Sequence, residues 1–253
     1  MTKKNQSKLT LTISVLTSLG AFALCWTLIT RLMTFDNALR LPRTQPVKLN
    51  LLGVAAKRVF DIVASTLGLI AVSPLMLGVA IAIKATSAGP VFYSSRRVGR
   101  HGRHFGILKF RTMVVDADKI GPRVTVCDDP RITRIGCLLR RTKLDELPQL
   151  INVLRGEMSL VGPRPEDPRY VALYTKEQRA VLNVAPGITS PASLRYCDEQ
   201  SLLTGTDWET LYVKEILPAK LAIDLEYAKR PSLQRDLEVI AGTLKALYTK
   251  HAA

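Results

Sequence analysis

A chain of 253 residues is long enough for one sizeable core with appendages. Its 47% hydrophobic content comes with a formal net charge of +15, and the basic residues flank long apolar runs, a pattern that points to lipid headgroups and phosphorylated ligands. Aromatics make up only 6% and interleave with no basic patch, which gives no support for nucleic-acid binding, and the four scattered cysteines show no CxxC or paired spacing that would suggest zinc or a disulfide framework. Unpaired cysteines fit a reducing cytoplasmic face.

Met1 to Lys8 is short and basic, and Leu9 to Thr30 follows without a charge, about the length needed to span a bilayer. A signal peptide is the alternative, but the apolar run is long for one and no clear cleavage site follows, so an uncleaved membrane helix is expected. Asp36 to Asn50, with Pro42 and Pro46, reads as a linker. A second apolar stretch, Val59 to Ile83, lies between Lys57-Arg58 and Lys84, with Asp61 as its single acid. Ser73-Pro74 sits in its middle, where proline removes one backbone bond and kinks a helix, and Ser73 can satisfy a freed carbonyl. Positive charge at both ends suits a hairpin that enters and leaves one face. A straight span with a kink fits the residues equally well.

After Gly89-Pro90, Val91-Phe92-Tyr93 and His104 to Phe110 predict two short strands around a basic, glycine-bearing turn, Arg96 to Arg103. Lys109 and Arg111 alternate with Leu108 and Phe110, so the two cations share one strand face that could bind diphosphate or lipid headgroups, or simply face solvent. His101 and His104 form an HxxH across an apparent turn, a poor setting for a metal. Asp116 to Asp129 is polar and irregular.

The chain's densest chemistry lies in Arg140-Arg141-Thr142-Lys143-Leu144-Asp145-Glu146-Leu147-Pro148-Gln149-Leu150. Thr142 followed by Asp145 has the form of a helix N-cap with an acidic first turn, although Pro148 falls late for that frame and allows a shifted start. Helix-start N–H groups would favour both carboxylates as anions. Adjacent side chains diverge by about 100°, so the two acids need not share a job. Acids beside Arg140 and Arg141 suit phosphate esters: one attacks or positions, the other holds a divalent cation, and the arginines neutralise phosphate. A capped helix with a surface ion pair is the plainer reading of the same residues. The following helix carries Leu147, Leu150, Ile151 and Leu154 on one face and stops at Arg155-Gly156. Pro163 and Pro165 then fix the backbone around Arg164 and present its guanidinium rigidly. Asp167 to Leu182 is expected to be helical, Val184 to Pro191 a turn-rich loop, and Leu211 to Lys229 and Leu233 to Tyr248 two further helices.

From Lys57 to about Leu247 these pieces resemble the bacterial sugar transferase family, the monotopic polyprenol-phosphate phosphoglycosyl transferases. The resemblance rests on ordered motifs: Lys57-Arg58-Val59-Phe60-Asp61, Ser73-Pro74, Gly89-Pro90-Val91-Phe92-Tyr93, Arg97-Val98-Gly99-Arg100 and Lys109-Phe110-Arg111-Thr112-Met113. Asp129-Pro130-Arg131-Ile132-Thr133, Leu144 to Leu150, Val161-Gly162-Pro163-Arg164-Pro165 and Pro186-Gly187-Ile188-Thr189 complete them.

The resemblance implies transfer of sugar-1-phosphate from a UDP-sugar to undecaprenyl (polyprenol) phosphate with release of UMP, as the first membrane step of glycan assembly. It places the nucleophile on Asp145, a magnesium ligand on Glu146, phosphate or nucleotide contacts on Arg140 and Arg164, and the membrane bend at Ser73 and Pro74, while Lys109 and Arg111 remain substrate-binding candidates from the strand pattern. The expected fold is α+β and mainly helical. Residues 1–50 form a candidate membrane helix (9–30) and linker, and 51–253 a transferase domain with a re-entrant membrane helix over 57–84 and a small cytoplasmic catalytic part over 85–253. The expected setting is the bacterial inner membrane with Mg2+ as cofactor and membrane lipids as partners. A homo-oligomer is compatible with the sequence, which names neither the sugar nor the pathway. Lys143 departs from the small polar residue often found beside the family's nucleophile.

Overall fold

The structure, a computed structural model, describes residues 51–117, 120, 129–197, 199 and 208–252. The candidate helix 9–30, the linker 36–50 and most of the polar stretch 116–129 lie outside the described residues. The described part is mainly helical, with two two-stranded sheets.

Helix α1 (Leu51–Thr86) is built from the second apolar stretch and is long and apolar enough to cross a membrane. Val59, Val63, Leu67, Ile70, Leu77 and Ile81 leave its outer face apolar and exposed. The helix continues through Pro74, where the sequence places a bend. Proline offers no N–H to the Ile70 carbonyl, and the Ser73 hydroxyl takes over that acceptor at 2.9 Å.

Both ends of α1 are fastened to the rest of the domain. At the start, Lys57 donates to Asp236 Oδ2 at 2.5 Å and to the Val161 carbonyl at 3.1 Å. Arg58 donates to the carbonyls of Val153 and Leu154, and Asp61 accepts from the Leu160 N–H. Towards the end, Val79 and Ile83 are buried with Phe110 and Leu139. Between these anchors, Ile70, Ala71, Ser73, Pro74 and Leu75 are exposed.

Strands β1 (Phe92–Val98) and β2 (His104–Phe110) pair antiparallel, with Phe92 opposite Phe110 and Val98 opposite His104. β1 extends through Arg96 and Arg97, which the sequence assigns to the turn, so the turn is shorter than expected. Helix α2 (Arg134–Arg141) is capped by Thr133, whose side chain accepts from the Gly136 N–H. A Cβ at Gly136 would lie 1.9 Å from the Thr112 carbonyl oxygen, so only glycine lets α2 sit this close to the end of the hairpin.

A 3-10 turn (Leu144–Glu146) leads into α3 (Gln149–Arg155), which ends at Gly156 with φ 80°, the expected stop. β3 (Ser159–Val161) pairs in parallel with β4 (Gly187–Thr189) inside the stretch read from sequence as loop. α4 (Pro168–Ala172) and a 3-10 segment (Gln178–Asn183) replace the single helix expected over 167–182. α5 (Pro191–Arg195) follows. α6 (Trp208–Leu211) runs through a π-helical turn (Tyr212–Ile216) into α7 (Leu217–Lys229), and α8 (Leu233–Ala252) closes the described chain. Val98, Tyr170, Val171, Tyr174, Tyr212 and Leu221 belong to the largest apolar cluster, which backs the segment carrying Arg164.

Candidate active site

The acid pair sits on the 3-10 turn between α2 and α3. Thr142 does not open a helix here. It closes α2, its hydroxyl donating to the Leu138 carbonyl at 2.8 Å, and α3 begins only after Pro148. The shift has a local cause. Lys143 adopts the left-handed conformation at φ 58°, which ends α2 and turns the chain into the 3-10 segment at a cost of about 1–2 kcal/mol for a residue with a Cβ. Leu144 and Leu147, on either side of the acids, pack against the cluster of Val79, Ile83, Phe110 and Leu139. The acids are therefore held between two apolar pins seated in this cluster.

The environments of the two carboxylates differ. Glu146 Oε1 accepts from Lys109 Nζ at 2.7 Å and from Arg164 Nη2 at 2.8 Å. Burial alone would raise its carboxyl, but Arg164 and Lys109 overcome that and hold it well below the usual carboxylate range. The pairing in turn pushes the Arg164 guanidinium up. Asp145 is 6% exposed, and its Oδ1 has no hydrogen-bond partner among the described residues. Burial raises its carboxyl above the usual range, Lys109 opposes the rise and Glu146 adds to it. The sequence expectation that a helix start favours both anions therefore holds in direction for Glu146 alone, and through side-chain cations.

Arg164 is delivered by two constraints. Its flanking prolines restrict the backbone, and its own N–H donates to Asp224 Oδ2 at 3.3 Å. The segment before it is stitched to β4 by Gly162 N–H to the Thr189 carbonyl and Gly187 N–H to the Pro163 carbonyl, both 3.0 Å. Arg140 donates through Nε to Thr112 Oγ1 at 2.8 Å, and burial lowers its basicity while the charge of Asp145 opposes that shift.

Lys109 and Arg111 part company. Arg111 is 6% exposed, and its guanidinium binds the carbonyls of Ser87 and Ala88 and the Ser87 hydroxyl, just beyond α1. Arg111 lies past the end of β2, where strict strand alternation no longer governs it, and the carbonyls after α1 take its terminal donors.

The sequence reading missed several supporting residues. Lys57, Arg58 and Asp61 were legible as charges at a membrane boundary, yet they are the fastenings of α1. Asp224 gave no signal, because an acid inside an amphipathic helix looks like surface until the fold buries it.

Among the described residues no three His, Cys, Asp or Glu side chains gather into a metal-binding group. Magnesium is commonly held by one or two carboxylates with waters and substrate phosphates completing the shell. The buried, unpartnered Oδ1 of Asp145 beside the Glu146 carboxylate fits such a donor set.

Fold and site together define a helix-anchored domain whose centre places a glutamate clamped by two cations next to a buried aspartate with an unpartnered oxygen. Comparison with known sequences gives this class its family. The bacterial sugar transferase profile matches residues 52–250, and the chain belongs to that family. An undecaprenyl-phosphate glucose phosphotransferase of Komagataeibacter xylinus is 43% identical over 196 residues, 75% of this chain and 35% of the relative. The chain thus spans about a third of that protein's length. The exopolysaccharide production protein ExoY of Sinorhizobium fredii is 36% identical over 211 residues, 78% of this chain and 87% of the relative. A UDP-glucose:undecaprenyl-phosphate glucose-1-phosphate transferase of Caulobacter vibrioides is 41% identical over 198 residues, 76% of this chain and 70% of the relative.

Proposed function

We propose that the protein is a phosphoglycosyl transferase that moves sugar-1-phosphate from a UDP-sugar to undecaprenyl phosphate and releases UMP, on the cytoplasmic face of the bacterial inner membrane. The observation that carries this reading is the division of labour between the two adjacent acids. Glu146 is committed as an anion to Lys109 and Arg164, whereas Asp145 keeps a buried oxygen unbonded. The names of the relatives point to the same donor and acceptor.

In the first half-reaction a carboxylate oxygen of Asp145 bonds to the β-phosphorus of the donor. The bond from that phosphorus to the bridging oxygen breaks, and its electron pair leaves with UMP. In the second, an oxygen of the lipid phosphate attacks the same phosphorus and the Asp145 carboxylate departs with its bonding pair. Splitting the transfer in this way lets one site meet a soluble donor and a lipid acceptor in turn. A carboxylate approaching a diphosphate meets like charge, and Lys109, Arg140 and Arg164 are the cations this chain brings to offset it. Magnesium carried by Glu146 supplies, when bound, further neutralisation of the diphosphate.

The same reading makes α1 a re-entrant helix. One polar domain grips it at Lys57, Arg58 and Asp61 and again at Val79 and Ile83, so both ends belong on one side of a bilayer, with the exposed apolar segment around Ser73-Pro74 dipping into it.

The test is product analysis with the purified protein, magnesium and a panel of UDP-sugars, with and without undecaprenyl phosphate. Lipid-dependent UMP is expected, and Asp145→Asn should abolish it while leaving folding intact. UDP as product, or turnover retained by Asp145→Asn, would refute the reading. Without lipid, at most one UMP per protein is expected, from the first half-reaction; repeated UMP release without lipid would indicate a nucleotide-sugar phosphoesterase, and a folded protein that releases no nucleotide would indicate a silent assembly partner.

A further inference from the structure

A strained residue stands where the acid pair begins. Lys143 holds φ 58° and ψ 13°, the left-handed conformation that glycine or asparagine takes readily and that costs a lysine free energy. The turn uses its backbone, whose carbonyl accepts from the Glu146 N–H at 3.2 Å, while its side chain supplies no capping bond. Non-glycine residues held in this conformation gather at functional sites. The bond from Glu146 is i→i+3, and side chains three apart on a 3-10 turn stand one above the other. The positive φ redirects the chain before Lys143, and ψ alone sets how its Cβ relates to the turn that follows. Lys143 therefore rises on the Glu146 side, and the charges of Glu146, Arg164, Asp145 and Lys109 all act on its ammonium. The neighbouring cations are engaged: Lys109 and Arg164 bind Glu146 Oε1, and Arg140 Nε binds Thr112 Oγ1. Lys143 is exposed and makes no hydrogen bond or ion pair with any described residue. Lys109, Arg140, Lys143 and Arg164 around two carboxylates leave an excess of two positive charges. The diphosphate of a nucleotide sugar carries one negative charge on each phosphate, which matches that excess.

We propose that Lys143 is a substrate-binding residue: its ammonium receives the diphosphate of the nucleotide-sugar donor beside the acid pair. The proposal deepens the phosphoglycosyl transfer reading above and rests on it. Lys109 and Arg164 can turn to phosphate only by loosening Glu146, whereas Lys143 gives up no contact with a described residue when the donor arrives. A compact charge on a flexible stem can also stay with the α-phosphate as the bond to the bridging oxygen breaks and UMP leaves.

Lys143→Gly tests this, because glycine removes the charge and relieves the backbone. The probe is UDP, which carries the diphosphate and has no sugar to transfer, titrated calorimetrically into the full chain in detergent with magnesium. Loss of one charge-assisted hydrogen bond predicts roughly 10- to 100-fold weaker binding, and the exposure of Lys143 puts the expectation at the lower end, about tenfold, with a matching rise in KM for the UDP-sugar. Melting temperature should hold or rise, since the left-handed strain is gone. Lys143→Arg, which keeps the charge, should bind UDP within about threefold of wild type. A lysine that only shapes the turn predicts unchanged UDP affinity in a Lys143→Gly protein at least as stable as wild type. UDP affinity within about threefold of wild type in Lys143→Gly, or equal weakening in Lys143→Arg, overturns the proposal. If Lys143→Gly fails to fold, Lys143→Asn, which also tolerates positive φ, takes its place. Turnover retained by Asp145→Asn would instead remove the underlying reading, and UDP titration, which involves no chemistry, tells the two failures apart.

Discussion

Breaking the fastening at the start of α1 should cost more than any surface ion pair, and the size follows from burial. Asp236 has no exposure, and the Lys57 side chain is 19% exposed. In Lys57→Met the Asp236 carboxylate stays buried with the Tyr227 hydroxyl, at 2.6 Å, as its remaining side-chain partner. Leaving one member of a buried pair uncompensated costs about 3–5 kcal/mol, several times the ~0–1 kcal/mol of an exposed pair. For a domain of this size each kcal/mol lowers the melting temperature by about 2–4 °C, so a fall of roughly 6–20 °C is expected. The assay is thermal unfolding in detergent or lipid discs, followed by circular dichroism. Lys57→Met/Asp236→Asn should recover more than half of the loss, because the stranded charge is gone. A single variant melting within about 2 °C of wild type would refute the reasoning, since the pair would then be behaving as if solvated. Strict additivity in the double variant would refute it as well.

Arg111→Met should lower the melting temperature by removing the guanidinium that binds the Ser87 and Ala88 carbonyls, while KM for the UDP-sugar in the folded fraction stays within about twofold. A large rise in KM with unchanged stability would return Arg111 to the substrate. Gly136→Ala should prevent stable folding or displace α2, because its Cβ would meet the Thr112 carbonyl at 1.9 Å, and wild-type stability would contradict that close approach. Burial pushes the Asp224 carboxyl up to about 6, against about 3.9 in an unfolded chain. The folded state therefore holds the proton more tightly. Asp224 contributes stability that is fully present below pH ~4 and is lost as pH rises through ~6, at most about 3 kcal/mol. Other groups add slopes of their own, so the quantity to measure is the difference between wild type and Asp224→Asn from pH 4 to 7. A difference independent of pH would contradict the burial of that carboxylate.

How much of this was legible in the sequence depends on the range of the interaction that fixes each feature. Apolar run length and stop signals act locally, and α1, the end of α3 at Gly156 and the hairpin strands were accordingly readable. Ser73 beside Pro74 was readable for the same reason, since a hydroxyl one residue before proline reaches the carbonyl that proline cannot serve. The parallel pair of β3 and β4 was not. Three residues between prolines and glycines look like a loop, and only the partner strand, supplied from 26 residues or more away in sequence, makes Gly187 to Thr189 extended. Helix Asp167 to Leu182 was overread because its periodicity continues past Leu173, where the chain instead breaks to bring Val181 under the aromatic cluster.

The acid pair shows where local reading fails at the point of function. Thr142, Asp145 and Pro148 each carry a helix-start signal, and they contradict one another in register. The structure resolves the conflict with one left-handed residue, Lys143, which ends α2 and lets the acids occupy a turn belonging to neither helix. What then separates the two carboxylates is tertiary. Lys109 arrives from β2 and Arg164 from a loop held by β4 and Asp224, and both choose Glu146. Leu144 and Leu147 pack against the cluster of Val79, Ile83, Phe110 and Leu139, which ties the turn to the same apolar core that buries the far end of α1. The position of the acid pair relative to α1 is therefore set by the contacts that also hold α1 to the domain, so a cavity cut at Leu139 or Phe110 should loosen the turn and the helix together.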